Sequence, residues 1–176
     1  WKAAKGYEDN KQTLAGLSFT HRFSENFSNT SSVFYTYLDH YEPRPFNILD
    51  EFTNGYGART VFAKDFSFLK NKANLSFGGE FYKDEYNNGN GSLEGEQLSA
   101  NFEKRDNLNV FATVTLPFTK KFKGQFGLNF NQTNYDFTDY FNEGINNKSA
   151  ERNFEPILAP NVNLLYQFTE NVSSYF

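Results

Sequence analysis

Strict period-two hydrophobicity constrains this chain more than any other feature. Between 107 and 118 the apolar positions are Leu108, Val110, Ala112, Val114, Leu116 and Phe118, set against Asn107, Asn109, Phe111, Thr113 and Thr115. After the cationic knot Thr119-Lys120-Lys121 the rhythm resumes, with Phe122, Gly124, Phe126, Leu128 and Phe130 against Lys123, Gln125, Gly127, Asn129 and Asn131. Only extended backbone sends alternate side chains to opposite faces, so the two runs read as strands of one hairpin.

The same rhythm marks strands at 13–23, 73–86 and 160–168. Strands near 28–41 and 56–66 are weaker, because Phe34 and Leu38 compete with Val33, Tyr35 and Tyr37 for the apolar face. A helical period is absent, and a chain rich in Phe, Tyr, Asn, Thr and Gly is poor material for helices. Aromatic residues make up 19% of it while mean hydropathy is only -0.69. The apolar surface is therefore concentrated in a few large side chains, which excludes a disordered chain.

The joints sort by length. Those at Ser24-Glu25-Asn26, Ser67 to Lys72, Thr119-Lys120-Lys121 and Thr169-Glu170-Asn171 are short, and those at 42–55, 87–106 and 138–155 read as long polar loops. Spanning strands of about 9 to 11 residues, apolar on one face and polar on the other, with short turns at one end and long loops at the other, describe a transmembrane β-barrel. Lipid offers backbone groups no hydrogen-bond partners, so a spanning sheet has to close on itself. Phe23, Phe66, Phe118 and Phe168 precede the short joints, where an aromatic girdle meets the interface. The expected fold is all-β: about seven or eight meandering antiparallel strands in one domain over 1–176.

Several function classes drop out. A net charge of -4 with scattered Lys and Arg argues against a nucleic-acid surface. The chain has no cysteine, and neither His21, on the apolar face, nor His40, beside Asp39, belongs to a metal-ligand pattern. Tyr86 to Gln97 faintly resembles a calcium loop but lacks its first acid and terminal Glu. With no nucleophile beside a base and no phosphate-cradling loop, neither an enzyme nor a cofactor or metal site is expected.

The chain resembles the barrel of the TonB-dependent outer-membrane receptors. The resemblance lies in Leu75-Ser76-Phe77-Gly78-Gly79-Glu80-Phe81, Asn109-Val110-Phe111-Ala112, Phe126-Gly127-Leu128-Asn129-Phe130 and the stretch from Pro160 to Tyr175. It implies a bacterial outer-membrane location and active uptake of a scarce bulky nutrient, by analogy a ferric siderophore or similar chelate. It also implies contact with lipid and with the TonB protein. A barrel of about 22 strands needs far more chain, so residues 1–176 are expected to be part of its wall, with the plug and the TonB-engaging segment elsewhere. The short run after Glu170 favours that reading. A complete eight-stranded barrel with a structural or adhesive role is the alternative, and a soluble all-β binding module, which would need an aromatic core, is a third.

Within the resemblance, ligand would meet wall residues near the long loops. The expected contacts are Tyr82, Asp84 and Tyr86 below the loop at 87–106, Tyr135 below that at 138–155, Arg59 on the same polar face, and Tyr41, Arg44 and Arg152 in or beside loops. The arginines suit a carboxylate or phosphate on the ligand.

Overall fold

A computed structural model describes residues 6–176. It is one antiparallel sheet of β1 (Asp9–Ser24), β2 (Phe27–Pro43), β3 (Ile48–Phe68), β4 (Asn71–Gly91), β5 (Gln97–Pro117), β6 (Phe122–Asp139), β7 (Ala150–Asn153), β8 (Ile157–Thr169) and β9 (Val172–Tyr175). Each long strand pairs with the next in sequence as far as β6, which pairs with β8 low down and with β7 higher up; β8 then pairs with β9. β7 and β8 are thus two pieces of one wall position. One 3-10 turn at Gly144–Asn146 is the only helical element among the described residues.

The strands are longer than the alternation suggested. β3, β4 and β5 have 21 residues each, and the β3–β4 ladder runs unbroken from Phe68↔Asn71 to Ile48↔Gly91. Two of the long loops are therefore corrected. The 42–55 stretch is strand except around residues 44–47, and 87–106 is strand except around 92–96; only 140–149 remains a long irregular connection before β7. Polar side chains there cover a sheet that water reaches from both sides, so the hydrophobic rhythm fades while the ladder continues. At the opposite end Leu69 and Lys70 make a two-residue turn with φ of 48° and 65°. Such a turn matches strand twist but usually recruits Asn-Gly, so two side-chain-bearing residues there carry strain.

Register sorts the side chains cleanly. Directly paired residues share a face, and one face carries the row His21, Asn29, Phe62, Phe77, Ala112, Leu128 and Pro160 across seven wall positions. Leu17, Val33, Ala58, Phe81, Leu108, Val114 and Phe126 lie on that same face. Among the described residues only Leu49 and Ala73 are buried hydrophobics, while Leu17, Phe19, Val33, Val110 and Leu128 stand exposed. A soluble sandwich would cover these side chains, and nothing in this sheet does. Among the described residues there is no aromatic core of the kind a soluble module requires, and β1 and β9 do not pair to close a small barrel.

Near the short turns the apolar face carries an aromatic row. Ring centroids are 4.6 Å apart for His21 and Phe23, 4.9 Å for Phe23 and Phe27, 6.1 Å for Phe27 and Phe62, and 5.2 Å for Phe62 and Phe77. Farther along, Phe118 lies 5.4 Å from Phe122 and 5.9 Å from Phe68, giving the expected girdle. The polar face instead packs aromatics flat over glycines: Phe34 stacks 5.8 Å from Tyr82. A side chain at Gly57 would meet the Phe34 ring at 2.5 Å.

Candidate functional site on the polar face

Above the apolar band, one rung of the ladder runs Asp84↔Arg105↔Tyr135↔Arg152 across β4, β5, β6 and β7. The next rung up carries Thr53, Tyr86 and Glu103. Antiparallel pairing puts all seven side chains on one face, and six of them (all but Arg152) line a polar cavity of about 130 Å³.

Its floor is fixed by a bidentate ion pair. Arg105 donates from Nη2 to Asp84 Oδ2 at 2.6 Å and from Nε to Oδ1 at 3.2 Å. Asp84 is only 8% exposed, so its carboxylate oxygens rely on that fork for hydrogen-bond donors. Above it the Tyr86 hydroxyl and the Asn88 amide both donate to Glu51 Oε1, and Asn88 also donates to the Tyr86 oxygen at 2.9 Å. The ladder continues as Asn90 donates to Ser99 Oγ at 3.0 Å and accepts from Asn47 at 2.9 Å. Burial, reinforced by the acceptor Glu51, pushes the Tyr86 phenol up to about 12; burial and Glu103 do the same for Tyr135. Both phenols are neutral donors at any physiological pH.

The other expected residues are distributed. Tyr82 is on the same face one rung below Asp84, under Phe34. Arg59 is lower still, 3.7 Å from Glu80 and over the Phe111 ring at 5.7 Å. It lines a second cavity of about 280 Å³ with Asn109, Asn129 and Asn161. Arg44 lies in the β2–β3 connection, held by Glu42 at 2.6 Å. Tyr41 pairs with Asp50 on the opposite face, 6.1 Å from Tyr7, and is not brought to the cavity.

Sequence reasoning missed Arg105, Glu103, Glu51, Thr53 and Asn88. Reading 87–106 as a loop hid Arg105 and Glu103, yet a signal existed. Leu98, Ala100 and Phe102 alternate with Ser99, Asn101 and Glu103, in phase with Leu108, and only Lys104 and Asp106 interrupt the run. Among the described residues no cluster of three or more His, Cys, Asp or Glu could hold a metal ion.

The family model for the TonB-dependent receptor-like β-barrel matches residues 1–176. The chain belongs to that family. Its polar face is therefore the lumen face and its apolar face the lipid face of a bacterial outer-membrane barrel, with the short turns at the periplasmic end. Solved structures agree in fold. The siderophore receptor PiuA from Acinetobacter baumannii superposes with a TM-score of 0.83 at 11% identity, over 98% of this chain and 32% of its own. The alcaligin outer-membrane receptor FauA from Bordetella pertussis gives 0.84 at 12% identity, over 97% and 28%. The pyoverdine receptor FpvA from Pseudomonas aeruginosa PAO1, bound to pyoverdine, gives 0.74 at 12% identity, over 96% and 28%. No curated protein matches the sequence. The chain spans under a third of the length of these three receptors.

Proposed function

We propose that this chain is a section of wall in an outer-membrane active-transport receptor for a scarce, bulky nutrient. The proposed ligand is a ferric siderophore or similar chelate, and the energy-coupling partner is TonB, engaged by a segment outside these residues. The observation that carries the reading is the rung of Asp84, Arg105, Tyr135 and Arg152, which arrays charged and phenolic groups on the lumen face just above the lipid band. Family membership supports it. Fixed hydrogen-bond donors on a rigid sheet suit recognition of an oxygen-rich ligand, because little side-chain freedom is lost when ligand arrives. In this reading Tyr86, Tyr135 and Arg152 contact ligand directly, and Asp84 holds Arg105 in place. Tyr82 and Arg59 extend the contact surface downward, Arg44 extends it at the rim, and Tyr41 is left out.

The test is iron-limited growth of a strain lacking its own receptors and carrying the full-length protein, supplied separately with ferric catecholate, ferric hydroxamate and ferric citrate. The expected outcome is TonB-dependent growth on at least one, with uptake affinity lowered about tenfold by Tyr86→Phe combined with Arg152→Ala, as for the loss of one or two charge-assisted contacts. Growth on none would overturn the iron assignment. Growth unaffected by deleting TonB would overturn the coupling.

A further inference from the structure

The lipid face departs from its own rule over β1 to β3. Across most of the wall this face is apolar, but here its positions include His21, Asn29, Ser31, Thr60 and Lys64, interspersed with Phe23, Phe27 and Phe62. Three of these satisfy one another. Asn29 donates to Thr60 Oγ1 at 2.8 Å and to the Val61 carbonyl at 3.2 Å, and accepts from Ser31 Oγ at 2.8 Å, while Ser31 and Thr60 share a hydrogen bond of 2.8 Å. The polar island is closed, so it asks nothing of the hydrocarbon around it.

Its small side chains leave a trough. A cavity of about 490 Å³ opens on this face over Ala58, Thr60 and Gly79, walled by Leu17, Phe19 and Phe81. A second, of about 550 Å³, adjoins it through Thr60 and Gly79 and continues past Val110 toward Leu158. The groove is apolar and lies within the lipid band, so hydrocarbon is its natural filling.

At the periplasmic end of the trough stand two groups the closed island does not use. Lys64 places Nζ 5.3 Å from the centre of the Phe27 ring, and among the described residues it makes no ion pair. His21 caps the other end of the same stack: Phe27 lies 4.9 Å from Phe23, which lies 4.6 Å from the imidazole. A lysine free of carboxylates and an imidazole therefore bracket a phenylalanine pair, at the depth where the aromatic girdle marks the membrane interface.

We infer that β1, β2 and β3 form a binding site for one phospholipid of the periplasmic leaflet, its phosphate held by Lys64, its glycerol-ester region met by His21 across the Phe23–Phe27 pair, and one acyl chain lying in the trough over Ala58, Thr60 and Gly79. Both halves of the ligand are matched. Cationic and hydrogen-bonding groups meet the headgroup where they can snorkel to the interface, and the floor of the groove at Thr60 lies farther into the membrane, one rung beyond His21 and two beyond Lys64, as an acyl chain requires. An amphipathic molecule with an anionic head at that depth fits both features, and a soluble anion fits only one.

The experiment uses the full-length receptor, delipidated in a neutral maltoside detergent. Native mass spectrometry counts bound lipid during titration with phosphatidylglycerol, with phosphatidylethanolamine, with diacylglycerol and with inorganic phosphate. One tightly retained phospholipid is expected, with diacylglycerol and inorganic phosphate each binding at least about tenfold more weakly. Lys64→Ala with His21→Ala should weaken phospholipid retention by about tenfold, and Ala58→Phe, which fills the trough, should weaken it similarly. Lys104→Ala, on the same face but above the band, should change nothing. Heat-modifiable gel mobility reports assembly, and if the double variant fails to assemble, Lys64→Gln alone carries the test. Retention equal to wild type in the assembled variants, or diacylglycerol bound as tightly as phospholipid, would overturn the proposal.

Discussion

The lower and upper halves of the β3–β4–β5 sheet share one hydrogen-bond ladder, shifted in register only at Asn90–Gly91 near its top, and differ in almost everything their side chains do. Below, the β4 face bearing Ala73, Leu75, Phe77, Gly79 and Phe81 meets lipid; above, the same face continues as Lys83, Glu85, Asn87 and Gly89. Lys83 Nζ there sits 3.7 Å from Glu85 and 4.0 Å from Asp106, an exchange of charge that lipid would not tolerate. Period-two hydrophobicity in a barrel therefore records where the bilayer is and not where the strand is. The backbone satisfies itself equally in both halves, and only the solvent changes.

The largest expected effect tests this difference directly. Leu128→Arg in the full-length receptor should cost assembly about 2 to 4 kcal/mol near the bilayer midplane, and Val114→Arg, on the rung of Lys64 and closer to the periplasmic interface, should cost less. Gln125→Arg and Thr113→Arg, on the lumen face at similar height, should cost far less. Asn87→Arg, on the lipid-side face but above the band, should stay within about 0.5 kcal/mol. Refolding into bilayers, followed by gel mobility before and after heating, measures all five. Equal tolerance at Leu128 and Asn87 would erase the boundary between the halves.

A smaller effect probes what holds the upper half together without lipid. Arg105→Ala strips the buried Asp84 carboxylate of both its donors and should destabilise the local structure by about 1 to 3 kcal/mol. Hydrogen exchange should then accelerate in the upper parts of β4 and β5 and stay unchanged around Phe77 and Ala112. Acceleration along the whole strands would mean that the two halves open as one unit.

The smallest effect is confined to a loop. Asp139 accepts from the Asn142 backbone amide at 2.9 Å, the Asn142 side chain at 3.0 Å and the backbone amides of Phe141 and Lys148 at 3.0 Å and 3.2 Å. Those donors, the Asn142 amide foremost, pull its carboxyl from an ordinary 3.8 down to about 2. A depressed folded-state value means that the anchoring is complete above the ordinary value and is lost as pH falls through the depressed one. Proteolytic nicking of 140–149 should therefore be slow at pH 5, rise only as pH approaches 2, and be fast at every pH in Asp139→Ala. A wild-type loop already labile at pH 4 would show that the carboxylate does not anchor it.

Legibility in the sequence followed the bilayer. The hairpin from Leu108 to Phe130 could be read side chain by side chain, because each residue answered to either lipid or water. β2 and β3 were harder to read because Asn29, Ser31 and Thr60 occupy lipid-face positions and Phe34 occupies a lumen one, where it covers Gly57. Those exceptions depend on neighbours from other strands, which no window of one strand contains. Asp84, Tyr86 and Tyr135 could be named as lumen residues by extending the alternation upward. Arg105 was legible only through the faint alternation of Leu98, Ala100 and Phe102 in phase with Leu108, and Glu51 was not, since Asp50 and Asn54 opposite Glu51 and Thr53 put polar residues on both faces of its segment. That Arg152 stands opposite Tyr135 follows from β7 folding back on β6, a pairing across a long connection that composition does not encode.

The break between β7 and β8 has a consequence for how such a wall can change. Asn153 pairs with Asn134 and Ile157 with Asn131, so the outer strand carries one residue more than its partner across the gap, and Pro156 falls within it. The Phe154 amide bonds the Thr133 carbonyl at 3.0 Å and Gln132 bonds the Phe154 carbonyl at 2.8 Å, closing the seam. A residue inserted into β4 or β5 would turn every side chain beyond it to the wrong solvent. One inserted above Pro156 would shift only a four-residue patch and leave the lipid-facing register of β8 untouched. The seam is thus an expansion joint: evolution, or an engineer adding an epitope or a new loop, can lengthen the extracellular rim there while the membrane-spanning part stays in step.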